Sequence, residues 1–121
     1  MAEKGILIVE DEMLISMSLE DALQDWGFNV VGTAESLQSA FDRLSSTSFG
    51  AAILDINLGR DLVWPFAMAL RARGIAFAFI SSDCDRDDFP VELANAPRMC
   101  KPFDDANLLA VVRSLMIARC A

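Results

Sequence analysis

Short apolar runs that stop abruptly at charged or hydroxyl side chains constrain this chain most. Ile6-Leu7-Ile8-Val9 runs into Glu10-Asp11, Ala51-Ala52-Ile53-Leu54 into Asp55, Phe77-Ala78-Phe79-Ile80 into Ser81, and Arg98-Met99-Cys100 into Lys101-Pro102. Short, continuous apolar runs are how strands buried on both faces of a parallel sheet read. In such a sheet the carboxyl ends of all strands face one rim. The residues that end the runs would then meet there as three carboxylates, a hydroxyl and an ammonium.

Strand-like and helix-like stretches alternate five times. The strands read as about 5–9, 29–33, 50–54, 76–80 and 98–100. In 12–26, Ile15, Leu19, Ala22, Leu23 and Trp26 repeat at helical spacing, and Gly27 stops the pattern. In 36–45, Leu37, Ala40, Phe41 and Leu44 do the same behind a candidate cap, Ser36. A third helix spans roughly 62–73, with Pro65 confined to its first turn and Gly74 after its end. The last begins after Asp104 or Asp105 and carries the stripe Leu108, Val112, Leu115 and Met116. Segment 83–97 is weak. Its four aspartates, Pro90 and Pro97 leave a short helical stretch around 87–94, so a short or mobile fourth helix is expected.

A repeated βα unit predicts an α/β sandwich with right-handed crossovers and helices on both faces of a five-stranded parallel sheet. With the flavodoxin-like strand order 2-1-3-4-5, the first and third strands are neighbours where the order reverses, and ligands bind at that switch. Glu10, Asp11 and Asp55 would cluster there. A length of 121 residues fits one domain, 1–121, with no effector domain expected.

Composition removes several function classes. Eighteen acidic and ten basic residues give a net charge of −8, and no basic cluster offsets it, so nucleic-acid binding is not expected. The chain has no histidine, which removes imidazole-based hydrolase triads and, with the spacing of Cys84, Cys100 and Cys120, a Cys/His zinc site. The three cysteines read as reduced thiols of a cytoplasmic protein. No signal-peptide pattern precedes the first strand, and no apolar stretch reaches the roughly 18 residues of a membrane span.

Three carboxylates in one cleft repel one another, and a divalent cation relieves that repulsion. Magnesium takes oxygen ligands, keeps several waters, and commonly uses one or two carboxylates beside a phosphate. Asp11 and Asp55 are the candidate direct ligands, Glu10 acts through a water, and the backbone carbonyl of Asn57 completes the protein share. A carboxylate can also attack phosphorus and form an acyl phosphate. Asp55, flanked by the cation and Lys101, is the natural nucleophile. Lys101 and Ser81 would bind the phosphoryl oxygens. Singly, each residue has a plainer reading: Asp55 a turn residue, Glu10-Asp11 a helix cap, Ser81 a loop serine, Lys101-Pro102 a turn. Their conjunction on successive strand ends carries the argument.

These residues resemble the receiver domain of bacterial two-component response regulators over essentially the whole chain. The resemblance rests on Val9-Glu10-Asp11-Glu12, Leu54-Asp55-Ile56-Asn57-Leu58, Ser81 after a buried strand, and Lys101-Pro102-Phe103. It implies that Asp55 receives a phosphoryl group from a sensor histidine kinase or a phosphotransfer protein, with Mg2+ (Mn2+ or Ca2+ can substitute) as cofactor. It further implies a cis bond before Pro102, an influence of Asn57 and Asp83 on hydrolysis of the acyl phosphate, and a downstream protein target.

The stretch Asp55-Ile-Asn-Leu-Gly, then Pro65, then Ala72-Arg73-Gly74-Ile75-Ala76-Phe77, resembles the stand-alone FATGUY receivers of alphaproteobacteria, which are associated with kinases of the HWE and HisKA2 classes. This chain has Phe79-Ile80-Ser81-Ser82-Asp83-Cys84 where they carry Phe-Ala-Thr-Gly-x-Tyr. Ordinary receivers place an aromatic switch residue where Arg98 stands here, and the chain has no tyrosine. Rearrangement of 81–97 is the expected substitute.

A receiver that has lost phosphorylation and serves only as an interaction module is the alternative. An aspartyl-nucleophile phosphatase would need an Asp-x-Asp pair where Glu10-Asp11-Glu12 stands. A flavin carrier would need a Ser/Thr-rich phosphate loop after the first strand.

Overall fold

The computed structural model describes residues 5–83 and 85–120. Its main sheet is built from β1 (Gly5–Val9), β2 (Val30–Ala34), β3 (Phe49–Asp55), β6 (Ala76–Ser81) and β7 (Arg98–Cys100), all parallel, in the order β2-β1-β3-β6-β7. Numbering only these five strands, that is the expected 2-1-3-4-5. Between β3 and β6 lies a small antiparallel pair that sequence reading missed, β4 (Asn57–Leu58) and β5 (Asp61–Leu62). It turns at Gly59, whose φ of +63° suits a residue without Cβ.

Successive side chains of each strand point to opposite faces, and the core divides accordingly. Leu7, Val9, Ala52, Leu54 and Phe79 pack on one face with α2 (Leu37–Ser46) and α3 (Trp64–Ala72). Ile6, Ile8, Ala51, Ile53, Ala78 and Ile80 pack on the other with α1 (Met13–Asp25) and α4 (Asp105–Cys120). Covering both faces is what allows the strands to be almost wholly apolar. Phe66, Leu70, Leu19 and Leu23, predicted helix-stripe residues among them, are fully buried. Truncating one such leucine to alanine typically costs about 2–5 kcal/mol.

Helix ends follow local chemistry. The Ser36 hydroxyl accepts from Ser39 N–H at 3.1 Å, and Ser39 returns the bond to Ser36 N–H at 3.0 Å, a reciprocal cap for α2. Gly27 and Gly74, with φ of +88° and +72°, follow α1 and α3. Pro65 sits in the first turn of α3. Of the two candidate caps for α4, Asp104 is the one used, accepting from Asn107 N–H at 2.7 Å.

Two departures have physical causes. The fourth helix is reduced to one 3-10 turn, η1 (Val91–Leu93), because prolines at 90 and 97 bracket the segment and leave room for little more. Side-chain contacts hold this region instead. Trp64, Phe79 and Phe89 pack ring to ring with centroids 4.9–5.5 Å apart, and Arg86 lies over Trp64 and pairs with Asp88 at 2.7 Å. Second, Cys100 is disulfide-bonded, which replaces the expectation of three reduced thiols. Spacing along the chain could not show this, because only the fold brings sulfurs together. Cys84 and the side chain of Cys120 lie outside the described residues. No helix among the described residues is long and apolar enough to cross a membrane.

Candidate phosphoryl and cation site

Strand register assembles the site. Val9 is paired with Leu54, so the next residues, Glu10 and Asp55, emerge side by side. Asp55 is paired with Ile80, which places Ser81 one step beyond it. Ser81 is paired with Cys100, and Lys101 N–H donates to the Ser81 carbonyl at 2.8 Å. The Lys101–Pro102 peptide bond is cis.

Three carboxylates converge. Glu10, Asp11 and Asp55 each offer one oxygen, and these oxygens lie within 4.8 Å of one another, close enough to share a cation. Glu10 and Asp55 are buried, 2 % and 3 % exposed, while Asp11 is exposed. Each is held. Glu10 Oε2 accepts from Glu12 N–H at 3.1 Å. Asp11 Oδ2 accepts from Gly59 N–H at 2.9 Å, so the β4–β5 turn positions this carboxylate. Asp55 Oδ1 accepts from Asn57 N–H at 3.3 Å.

Lys101 supplies the opposing charge. Its Nζ lies 3.0 Å from Glu10 Oε1, 3.2 Å from Glu12 Oε1 and 3.3 Å from Asp55 Oδ2. The contacts to Glu12 and Asp55 are hydrogen bonds. The contact to Glu10 Oε1 is an ion pair without hydrogen-bond alignment, which leaves that buried oxygen with an unused lone pair aimed into the cluster. A hard cation is a fitting partner for such an oxygen.

One ammonium does not balance three clustered acids. Burial, then the hydrogen bond and charge of Glu10, push the Asp55 carboxyl up to about 8, against the pull of Lys101. For Asp11, desolvation works upward, but the Gly59 N–H and hydrogen bonds with Glu10 and Asp55 leave it below the ordinary carboxylate value. Desolvation works against the charge of Lys101, yet Glu10, Asp55 and Glu12 hold its pKa above the usual lysine value.

The remaining sequence candidates are placed less centrally. Asn57 is exposed on β4. The Ser81 hydroxyl is occupied by the following loop: it donates to the Asp83 carbonyl at 3.1 Å and accepts from Asp83 N–H at 3.0 Å. Asp83 is exposed, and its carboxylate accepts from Asp85 N–H at 3.1 Å. Arg98 is exposed and stacks its guanidinium over Phe89, 4.0 Å from the ring centroid. Two participants escaped sequence reasoning. Glu12 follows Glu10-Asp11 directly, but its contact with Lys101 arises only in the fold, and Gly59 acts through its main chain, which no residue type announces.

The comparisons with known proteins agree with this geometry. Residues 6–113 match the response regulator receiver domain. This chain belongs to that family. The solution structure of SdrG from Sphingomonas melonis Fr1 is 36 % identical, covers 100 % of both chains and superposes with a TM-score of 0.77. The receiver domain of PhyR from Erythrobacter litoralis is 23 % identical over 96 % of this chain and 92 % of its own, with a TM-score of 0.78. A sensor histidine kinase receiver domain from Pseudomonas aeruginosa PAO1, whose structure has magnesium coordinated in the active-site cleft, is 20 % identical over 95 % of this chain and 98 % of its own, with a TM-score of 0.80. At these last two identities the likeness concerns the fold alone. No curated protein sequence matches the chain. The protein is thus a receiver domain with an acidic pocket of the kind found in two-component signalling.

Proposed function

We propose that this receiver accepts a phosphoryl group on Asp55 from a phosphohistidine, on a sensor histidine kinase or a phosphotransfer protein, and works as a single-domain response regulator of the FATGUY type. The observation that carries the reading is the convergence of Glu10, Asp11 and Asp55 around one point, with Lys101 in contact with the would-be nucleophile. The 36 % identity to SdrG over the full length of both chains supports the alphaproteobacterial branch, and the proposal extends to HWE or HisKA2 kinases as donors.

In the reaction, an Asp55 carboxylate oxygen attacks phosphorus while the phosphorus–nitrogen bond to the donor imidazole breaks. The imidazole leaves with the electron pair and takes up a proton. Asp11, Asp55 and the Asn57 carbonyl would hold Mg2+, with Glu10 joined through a water. Bound there, the cation would supply positive charge to the transferring oxygens and relieve the mutual repulsion of the acids. Lys101 donates to one phosphoryl oxygen. Ser81 can donate to another once its hydroxyl lets go of the Asp83 carbonyl. Release of the phosphoryl group occurs when water attacks phosphorus and Asp55 leaves as carboxylate. Asn57 and Asp83, two residues beyond Asp55 and Ser81, are positioned in sequence to orient that water.

The donor's approach has a candidate surface. Met13, Leu14 and Met17 on α1 are 72 %, 82 % and 52 % exposed, so they do not pack on a neighbouring helix. Beside them a groove of about 490 Å³ runs past Leu14, Ile15, Pro102 and Phe103 to Lys101. Flexible apolar side chains suit an adaptable contact with a helical donor.

The test is Mg2+-dependent labelling from acetyl phosphate and from a phosphorylated HWE-class kinase. Labelling should be lost in Asp55→Asn and on chelation. Labelling that persists in Asp55→Asn refutes the assignment. One observation favours a second reading, an interaction module indifferent to phosphorylation: Arg98 is outside the core on Phe89, where an inward-swinging aromatic residue would otherwise be. Partner binding unchanged by a phosphoryl mimic would select it.

A further inference from the structure

Glu12 stands at the N-cap of α1, where a short polar side chain would normally accept a hydrogen bond from the first turn. It makes no such bond. Its carboxylate instead extends to the Lys101 ammonium, 3.2 Å away and 89 residues distant along the chain. It is largely solvent-exposed, 62 % by side chain, and is not one of the three acids that share the candidate cation position.

We propose that Glu12 is a positioning residue that tethers Lys101 and sets how readily its ammonium is given to a phosphoryl oxygen. The inference rests on the phosphoacceptor reading of Asp55. An ammonium has three donors, and here three carboxylates surround it. A divalent cation among Glu10, Asp11 and Asp55 offsets the charge of two of those three. Glu12 lies outside that group, so its hold on the ammonium is the one that remains. A phosphoryl oxygen on Asp55 must then compete with Glu12 for Lys101. A mere helix-dipole role would need only negative charge near the first turn and no contact with Lys101.

The experiment uses beryllofluoride as the phosphoryl mimic, at saturating Mg2+, on the full chain and on Glu12→Gln. The substitution keeps the shape, and the residue is exposed and caps nothing, so the fold is retained. Beryllofluoride should bind Glu12→Gln about fivefold more tightly, the upper range for a partly exposed ion pair. Without Mg2+ or beryllofluoride, the Lys101 Cε–Hε NMR resonance should shift in Glu12→Gln and move again on adding the mimic. Equal or weaker binding in the variant overturns the proposal while leaving the phosphoacceptor reading intact. So does an unmoved Lys101 resonance, which would reduce Glu12 to a charge at the helix end. Failure of the wild-type chain to bind beryllofluoride at all overturns both.

Discussion

Replacing Asp55 with asparagine should stabilise the cation-free protein, although it destroys the proposed phosphoacceptor. In the folded chain burial and Glu10 hold this carboxyl near 8, whereas unfolded it titrates near its ordinary 3.8. At about 1.36 kcal/mol per pH unit, keeping it protonated up to pH 7 costs roughly 4 kcal/mol. Proteins relax around buried charge and screen more than a dry interior does, so about 2 kcal/mol is the working figure. Asparagine has no such cost, and its amide N–H replaces the O–H of the protonated acid beside Glu10. Between pH 4 and 8 the folded wild type binds more protons at this position than the unfolded chain, so wild-type stability should fall as pH rises. The low pKa of Asp11 contributes stability that is lost only as pH falls below its ordinary 3.8, outside this window. The raised pKa of Lys101 contributes stability lost only above its ordinary 10.5. Urea unfolding in EDTA at pH 5.5, 6.5 and 7.5 measures the effect. Asp55→Asn should gain on wild type steadily across the series. A variant less stable than wild type at pH 7, or a wild-type curve that rises across this range, would refute the electrostatic account of the site.

Four further outcomes are expected. Cation binding must displace the Asp55 proton, so the Mg2+ dissociation constant should fall by up to about tenfold per pH unit from pH 6 towards 8 and then level off; calorimetry giving a flat profile would contradict this. Mg2+ should also raise the melting temperature by mass action, with a further rise on adding beryllofluoride, and neither increment should survive in Asp11→Asn. Engagement of Ser81 by the mimic removes its bond to the Asp83 carbonyl, so amide exchange in 81–97 should change with beryllofluoride, and unchanged exchange would count against a switch in this segment. The phosphorylated form should decay within minutes and more slowly in Asn57→Ala; a lifetime of many hours in wild type would remove the hydrolytic role of Asn57 and Asp83.

The placements legible in the sequence are those fixed by strand register. Glu10, Asp55, Ser81 and Lys101 end apolar runs, and a parallel sheet has no choice but to align those ends. What sequence hid depends on contacts between distant segments. Glu12 finds Lys101 across 89 residues, and Gly59 presents an N–H to Asp11 through a two-residue ladder too short to carry a pattern. The 83–97 segment is legible as a weak helix from its aspartates and prolines, but its stabilising partners, Trp64 and Phe79, come from other elements. The bonded state of Cys100 belongs to the same class.

The two tryptophans sit on opposite sides of the sheet. Trp26 packs with the α1 and α4 layer, whereas Trp64 touches Phe79 and Phe89 beneath Arg86. The two indoles therefore report on separate layers: Trp64 on its contacts with Phe89 and Arg86, and Trp26 on the α1 and α4 side. With Trp26→Phe and Trp64→Phe variants to separate the two signals, a change in the packing of residues 86–89 on Trp64 becomes readable by light without any added label.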